Sequence, residues 1–477
     1  MDENRIFIAR MSYTPLNASH QSYFKNLLGQ DFCLSDSDNL KKYGHDETEN
    51  LEFLPELVLK PKTTEQVASI LKYCNEYKIA VTPSGARTGL SGGALPIFGG
   101  VNMSLERMNK IVEIDERNLQ ATVEPGVINQ VFHEACKAKG LFYPPDPSSW
   151  GSCFMGGNFA LNSGGPRAVK YGVTNAYVLN LEVVLPTGEI IWTGANVLKN
   201  STGYNLTQLM VGSEGTLGVV TKAVVRLIPY PKHNLLMLVP FGDAQKACEA
   251  VSAIFRAGIT PSALEFMERD AIDWTLKFVD NVALPIGDEV QAHLLIEVDG
   301  NNQEVLMDDC QKIADVVTEF GAGEVLFAES QSEKDALWKL RRRVGEAVKA
   351  NSVYKEEDTV VPRAELAVLL KGVKQIGAKY GFKSVCYGHA GDGNLHVNII
   401  KGNLSETQWK EELPLGIREI FELVKKLGGT ISGEHGIGYV QRDYLDVVFS
   451  ETMVNLQKAI KKVFDPKGIL NPGKVFS

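Results

Sequence analysis

Residues 83–93 read Pro-Ser-Gly-Ala-Arg-Thr-Gly-Leu-Ser-Gly-Gly. No helix or strand interior tolerates such a run, because glycine loses the most backbone freedom on ordering and small side chains leave little to pack. The chain must therefore expose backbone here. Ile79, Ala80 and Val81 just before it read as a strand, and a strand feeding a loop of this kind lets successive N–H groups approach an anion such as phosphate. The loop is neither a Walker A sequence, since no Gly-Lys-Ser/Thr follows, nor the GxGxxG fingerprint of nicotinamide-binding folds. Alone, it also fits a plain surface loop. Residues 144–149 (Pro-Pro-Asp-Pro-Ser-Ser) and 156–165, with Gly156, Gly157, Asn158, Asn162, Ser163, Gly164 and Gly165, add two more backbone-exposing segments in the same region.

A chain of 477 residues, 44% apolar and 22% charged, exceeds the length at which one core stops growing, so two or three domains are expected. After a polar leader, residues 57–59 read as a strand. Residues 63–77 read as a helix with Thr63 and Gln66 as a capping box and an apolar stripe of Val67, Ile70, Leu71 and Cys74. A strand over 179–185, a turn at 186–189 and a partner strand at 190–192 follow, then a glycine-rich stretch, 212–218, leading into Val219 and Val220. Pro229 and Pro231 mark a boundary near residue 230. Beyond it helical stretches alternate with strands such as 293–298, as an α+β second domain would.

The net charge of −9 argues against a general nucleic-acid binder; the basic run 339–343 stands isolated. Seven scattered cysteines with no CxxC spacing suggest neither a disulfide framework nor an iron–sulfur or thiolate zinc site, and a reducing cytoplasm is expected. Asp2, Glu3, Arg5 and Arg10 interrupt any signal-peptide core, and no apolar run approaches the roughly 20 residues of a membrane span. Contact with a membrane would be peripheral, at its inner face.

Two late segments, 388–396 (Gly-His-Ala-Gly-Asp-Gly-Asn-Leu-His) and 432–436 (Ser-Gly-Glu-His-Gly), hold three of the eight histidines and a carboxylate between glycines. Two neutral imidazoles and a carboxylate form a ligand set for a borderline divalent metal with positions left open; hydrogen-bonded core histidines beside tight turns are the alternative. Side chains alternate along a strand, so Leu395, Val397 and Ile399 face one way and His396 and Asn398 the other. Residues 332–350 read as a helix capped by Ser332 and Asp335, with Leu337, Leu340, Val344 and Val348 as its stripe. Arg341 falls inside that stripe, while Arg342 and Arg343 fall outside as solvated charges. A guanidinium on a buried face needs an anion, either a structural carboxylate or a ligand's.

With these motifs in this order, the chain resembles, over nearly its whole length, the flavin-dependent 2-hydroxy acid dehydrogenases of the vanillyl-alcohol-oxidase fold: glycolate oxidase D-subunit, D-lactate dehydrogenase and D-2-hydroxyglutarate dehydrogenase. The resemblance implies an α+β protein with four parts. These are a leader (1–52), a two-subdomain FAD-binding domain (53–230), a cap or substrate domain (231–430) and a C-terminal segment (431–477) returning to the flavin. It implies that Pro83, Ser84, Gly85, Ala86, Arg87, Thr88, Gly89, Ser91 and Gly92 wrap the FAD pyrophosphate. Pro145, Asp146, Ser148, Gly151, Gly156, Gly157, Asn158, Asn162, Gly164 and Gly165 would line the flavin and ribityl chain, Glu214, Gly218 and Val219 would lie on the adenine side, and Asn471 would return to the flavin. The first loop has no histidine, so FAD is expected to be non-covalent. His389, His396 and Glu434 resemble the metal ligands, for zinc or manganese, and His435 the base. Arg341, Lys355 and Asn398 complete the catalytic set, with Arg341 on the substrate carboxylate. Glu434 and His435 would point apart on a regular strand, so the flanking Gly433 and Gly436 imply a bent loop.

The activity so implied is oxidation of a small (R)-2-hydroxy acid, or glycolate, to the 2-oxo acid. Its electrons would pass to a quinone, a carrier flavoprotein, a cytochrome or a separate iron–sulfur subunit; a homodimer is admitted. One departure stands out: D-2-hydroxyglutarate dehydrogenases carry a threonine four residues after the arginine, and this chain has Gly345. A metal-dependent hydrolase on the same histidines and a non-catalytic FAD-binding subunit are the rival readings.

Overall fold

The computed structural model describes residues 12–49, 51–280 and 286–476. Asp2, Glu3, Arg5 and Arg10 lie outside the described residues. The chain divides into two compact units: Met1–Ser163 with Val173–Tyr230 and Glu434–Ser477, and Gly164–Gly172 with Pro231–Gly433. The short segment Gly164–Gly172 thus groups with the second unit, although 53–230 reads as continuous in sequence.

In the first unit, strands Cys33–Leu34, Leu57–Leu59, Val101–Ser104 and Val81–Ser84 form one sheet in that order, parallel except for its first pair. The strand expected at 79–81 instead starts at Val81 and runs on through Pro83 and Ser84. Pro83 is tolerated because this is the edge strand, where a missing N–H breaks no ladder. The C-terminal segment covers that edge: Val81 N–H donates to Ile469 O (2.8 Å) and Asn471 N–H to Val81 O (2.7 Å). A second, antiparallel sheet orders Ile111–Asp115, Gln120–Val123, Val219–Arg226, Val178–Val184 and Ile190–Trp192.

The helix Thr64–Tyr77 buries Val67, Ile70, Leu71 and Cys74, and Thr63 caps it by accepting from Gln66 N–H. The reciprocal half of the capping box does not form, because Gln66 Oε1 accepts from Lys62 N–H (2.7 Å) instead. The leader from residue 12 onward is not a polar tail. Its helix Ala18–Leu28 puts Phe24 and Leu28, four apart, into the core with Ile70, Val101 and Ile469.

The second unit is built on one seven-stranded antiparallel sheet, ordered Leu326–Phe327, His233–Phe241, Ala292–Gly300, Ala263–Glu268, Lys383–Gly388, Asn394–Ile400, Tyr354–Val360. Both faces of the central strands are buried, so alternation is hidden in near-continuous apolar runs. On one face Leu236, Leu238, Met267, Leu295, Val385 and Tyr387 pack under helices Arg269–Phe278, Gln331–Arg342 and Val344–Asn351. The helix read as 332–350 is therefore two, parted at Arg343. Its cap is Ser330, because Glu333 Oε2 accepts from Ser330 N–H while Ser330 Oγ accepts from Glu333 N–H. The segment Gly164–Gly172 is pinned to this unit's sheet by Lys170 and Tyr171 on Asp299, with Arg167 Nη2 3.7 Å from Glu297 Oε1.

Among the described residues no helix is long and apolar enough to cross a membrane, and all seven cysteines are buried and free. Truncating a core phenylalanine costs about 3–5 kcal/mol. Phe24→Ala should accordingly lower the urea midpoint of the holoprotein clearly, whereas an unchanged midpoint would mean that the N-terminal helix is not part of the core.

Candidate active site

In the first unit the three small-residue segments come together. A Cβ placed on Gly85 would lie 3.8 Å from Gly157 N, and one on Gly215 would lie 3.0 Å from Pro83 Cγ. Asn129 ties the others in, its N–H donating to Cys153 O and its Nδ2 to Pro145 O (3.2 Å). The loop after Ser84 turns through Arg87 at a positive φ of 62°, with its guanidinium 4.2 Å from the Tyr43 ring centroid. Among the described residues the N–H groups of Gly85, Ala86, Arg87, Thr88 and Gly89 donate to nothing. A Cβ on Gly89 or Gly157 would meet no atom within 4 Å, and the Asn158 side chain is buried beside the Cys153 thiol. Open space edged by undonated N–H groups and a buried amide fits an anionic, hydrogen-bonding cofactor.

Several expected cofactor residues also have local structural duties. Gly156 is required where a Cβ would reach 2.6 Å from Pro125 Cβ, and Gly218 where it would reach 2.4 Å from Val183 Cγ1. Val219 pairs with Val184 in the sheet, and Asn162 caps the helix Met155–Leu161 in the left-handed region at φ 56°. Ser148 and Gly151 are exposed, and Gly164 and Gly165 lie in the segment grouped with the second unit. Asp146 is buried. Ser91 holds the returning chain: its Oγ donates to His435 O (2.9 Å) and its carbonyl accepts from Tyr439 N–H (2.7 Å).

Glu214, expected on the adenine side, also clasps the returning chain. Its carboxylate accepts from Ile437 N–H (2.8 Å) and Gly438 N–H (2.7 Å), and its carbonyl accepts from Asn471 Nδ2 (2.8 Å). Asn471 Nδ2 also donates to Gly93 O, 3.0 Å away. Gly436 sits at φ 82°, the bend expected beside His435. Gly433 is needed for a different reason: a Cβ there would lie 2.5 Å from Val360 Cγ2.

In the second unit, sheet register decides which side chains meet. Tyr387 and Asp358 both pair with His396, and Val385 and Glu356 both pair with Asn398, so Tyr387, His396, Asp358, Asn398 and Glu356 share a face. Met267 pairs with Tyr387, which puts Glu265, two residues earlier, on that face too. Lys355 pairs with Ile399 and so projects from the opposite face, its ammonium 5.5 Å from the Trp409 ring centroid. That placement corrects the expectation that Lys355 joins the catalytic set; Glu356 holds the position beside Asn398. The glycines of 388–393 make the connecting turn. Gly393, at φ 75°, would otherwise put a Cβ 1.9 Å from Val361 O, and Gly388 one 2.4 Å from Asn394 O.

His389 and His396 are buried with ring centroids 5.4 Å apart and planes at 82°. His389 Nδ1 lies 2.9 Å from both carboxylate oxygens of Glu265, and Arg341 Nη2 lies 2.6 Å from Glu265 Oε2. Burial alone would push the Glu265 carboxyl up, but His389 and Arg341 outweigh it and hold the group below the usual carboxylate range. His396 Nδ1 stands 3.5 Å from Glu356 Oε1 and 3.6 Å from Asp358 Oδ1. The Arg341 guanidinium is 5.1 Å from the Tyr387 ring centroid, and its Nε has no hydrogen-bond partner among the described residues. Asn398 is wholly buried, with its amide against the Tyr387 hydroxyl. An unsatisfied buried donor beside two carboxylate-flanked imidazoles can hold a polar ligand, and the imidazole pair suits a divalent metal. Asp358 also accepts from Ser432 Oγ and Gly433 N–H, which fixes the chain immediately before Glu434.

Glu265, Glu356, Asp358 and Tyr387 were missed in the sequence. For Glu265 a signal existed: a lone carboxylate in the run Ala-Leu-Glu-Phe-Met needs cationic partners if that strand is buried.

Residues 230–475 match the family of FAD linked oxidases, C-terminal domain, and residues 55–194 match the FAD binding domain. The chain is 42% identical to a D-lactate dehydrogenase of Anaerostipes hadrus, covering 88% of this chain and 89% of that one. It is 41% identical to the glycolate oxidase subunit GlcD of Bacillus subtilis, over 91% and 92%. Among solved structures, the 4-ethylphenol oxidase of Gulosibacter chungangensis superposes with a TM-score of 0.77 at 20% identity, over 96% and 97% of the two chains. The chain belongs to the FAD-linked oxidases, with the two-domain fold of that group, and FAD is its cofactor. A hydrolase built on the same histidines is thereby set aside.

Lys474 contributes a measurable property of the first unit. Its Nζ donates to Leu95 O and to Asn471 Oδ1. Burial pushes the ammonium down to about 7, although Asp46 and Glu214 pull it up. An unfolded lysine stays protonated to about pH 10. Between about pH 7 and pH 10 the unfolded chain therefore binds a proton that the folded chain lacks, and this group's contribution to stability rises with pH. The urea midpoint of the wild type should gain on that of Lys474→Met between about pH 7 and about pH 9.5. A difference independent of pH would show that Lys474 does not titrate in this window.

Proposed function

We propose that this enzyme oxidises a small (R)-2-hydroxy acid, of the glycolate or D-lactate type, to the 2-oxo acid. FAD is held non-covalently, and a divalent metal, zinc or manganese, is held by His389, His396 and Glu434. The observation that carries this reading is the buried face of the second unit, where Arg341 keeps its Nε uncommitted among the described residues next to two imidazoles flanked by carboxylates. The D-lactate dehydrogenase and glycolate oxidase relatives support the substrate class. Gly345 favours the smaller acids: it offers no hydroxyl to a distal carboxylate, and a Cβ there would lie 3.1 Å from the Tyr387 hydroxyl.

When bound, the flavin supplies the hydride acceptor and the metal a Lewis acid. The chain's own residues do the rest. Arg341 binds the substrate carboxylate, Asn398 hydrogen-bonds the hydroxy acid, and His435 accepts the hydroxyl proton as C2 is oxidised. Electrons leave to a quinone, a carrier flavoprotein, a cytochrome or a separate iron–sulfur subunit.

Purified protein should be yellow, should bleach anaerobically with glycolate or D-lactate more readily than with D-2-hydroxyglutarate, and should release its colour into the supernatant on acid precipitation. Flavin that stays in the pellet would refute non-covalent binding, and no bleaching by any hydroxy acid would refute the reaction.

The two roles separate kinetically. His435→Asn should retain FAD and lose flavin reduction by about 100- to 10,000-fold, as removal of a general acid–base group does. Arg341→Ala should raise KM most, because a carboxylate clamp contributes binding shared by ground and transition states. Near-normal stopped-flow reduction of His435→Asn at saturating substrate would move the base elsewhere.

A further inference from the structure

Glu265 sits in the middle of the strand Ala263–Glu268 with no exposed surface. A carboxylate there loses its hydration and is tolerated only where cations or donors answer it. Two do so: the Nδ1 edge of His389, 2.9 Å from each oxygen, and Arg341 Nη2, 2.6 Å from Oε2. We propose that Glu265 is a positioning residue that couples metal affinity to substrate affinity, by fixing His389 and Arg341 with one buried carboxylate. This rests on the reading of His389 as a metal ligand and Arg341 as the substrate clamp.

The coupling follows from proton placement and charge. A neutral imidazole facing two carboxylate oxygens with Nδ1 keeps its proton on that nitrogen, because the other tautomer would set a lone pair against negative oxygens. The lone pair is then on Nε2, the nitrogen left for a metal. The same carboxylate neutralises the buried guanidinium and holds it 5.1 Å from the Tyr387 ring centroid, with Nε uncommitted among the described residues. A metal ligand and a substrate clamp would otherwise take up their rotamers independently.

The test measures metal affinity on FAD-loaded protein without turnover, by competing zinc or manganese against a chromophoric chelator. Glu265→Gln should weaken metal binding by about 10- to 100-fold, the usual effect of removing a carboxylate behind a ligating histidine, and should also raise the KM for the hydroxy acid. Arg341→Met should raise KM but leave metal affinity near wild type. Glu265→Gln/Arg341→Met, which leaves no uncompensated buried charge, should show the metal weakening of Glu265→Gln with flavin content unchanged. Glu265→Asp should restore part of the metal affinity. A purely structural role predicts no such division. Wild-type metal affinity in both Glu265→Gln proteins overturns the proposal. Wild-type enzyme that takes up no metal overturns the metal assignment, and this inference with it.

Discussion

A charge at the centre of a sheet buried on both faces is the constraint from which the second unit's chemistry follows. Glu265 cannot shed its burial penalty to water, so the fold must bring cations and donors to it. The strand order does so. Ala263–Glu268 lies beside Lys383–Gly388, so His389, one residue past the end of that strand, reaches the carboxylate. The helix Gln331–Arg342 lays its apolar stripe across the same face, which carries Arg341 down with Leu337 and Leu340. Polar groups that look adventitious one at a time satisfy a single electrostatic requirement together.

The first unit solves a parallel problem with backbone. A loop that keeps its N–H groups for a cofactor cannot use them to hold itself, so its rigidity must come from elsewhere. Thr48 Oγ1 accepts from Gly92 N–H, Asn471 reaches the carbonyls of Gly93 and Glu214, and the Glu214 carboxylate grips Ile437 and Gly438. The C-terminal return, by covering the edge strand Val81–Ser84, closes the sheet that launches the loop. Glu214, one of the expected adenine-side residues, is also a fastening of this arrangement.

Local patterns were read well where one physical rule decides. The stripe Val67, Ile70, Leu71 and Cys74, the alternation that put His396 and Asn398 together, and the inward turn of Arg341 all follow from helix or strand periodicity. Reading failed where two rules competed. Thr63 with Gln66 and Ser332 with Asp335 satisfied the capping pattern, yet Gln66 turned to Lys62 and Ser330 with Glu333 made the better box. The leader seemed polar because Phe24 and Leu28 stand among serine, histidine, glutamine and asparagine, but His20, Phe24 and Leu28, spaced four apart, with Tyr23 and Leu27 beside them, suffice to dock a helix.

What is local was legible in the chain: the loop that must expose its backbone, the faces of helices and strands, and, through the resemblance, the family. Tertiary structure alone decided which faces meet. Lys355 and Glu356 are neighbours in sequence, and only the register against Asn394–Ile400 shows that Glu356 faces the histidines while Lys355 faces away. Glu265 lies 124 residues from His389, and no periodicity spans such a distance. The physical reason is the same in both cases. Side-chain direction is set by the chain's own dihedrals, whereas partnership is set by strand order and register, which depend on the burial of the whole sheet.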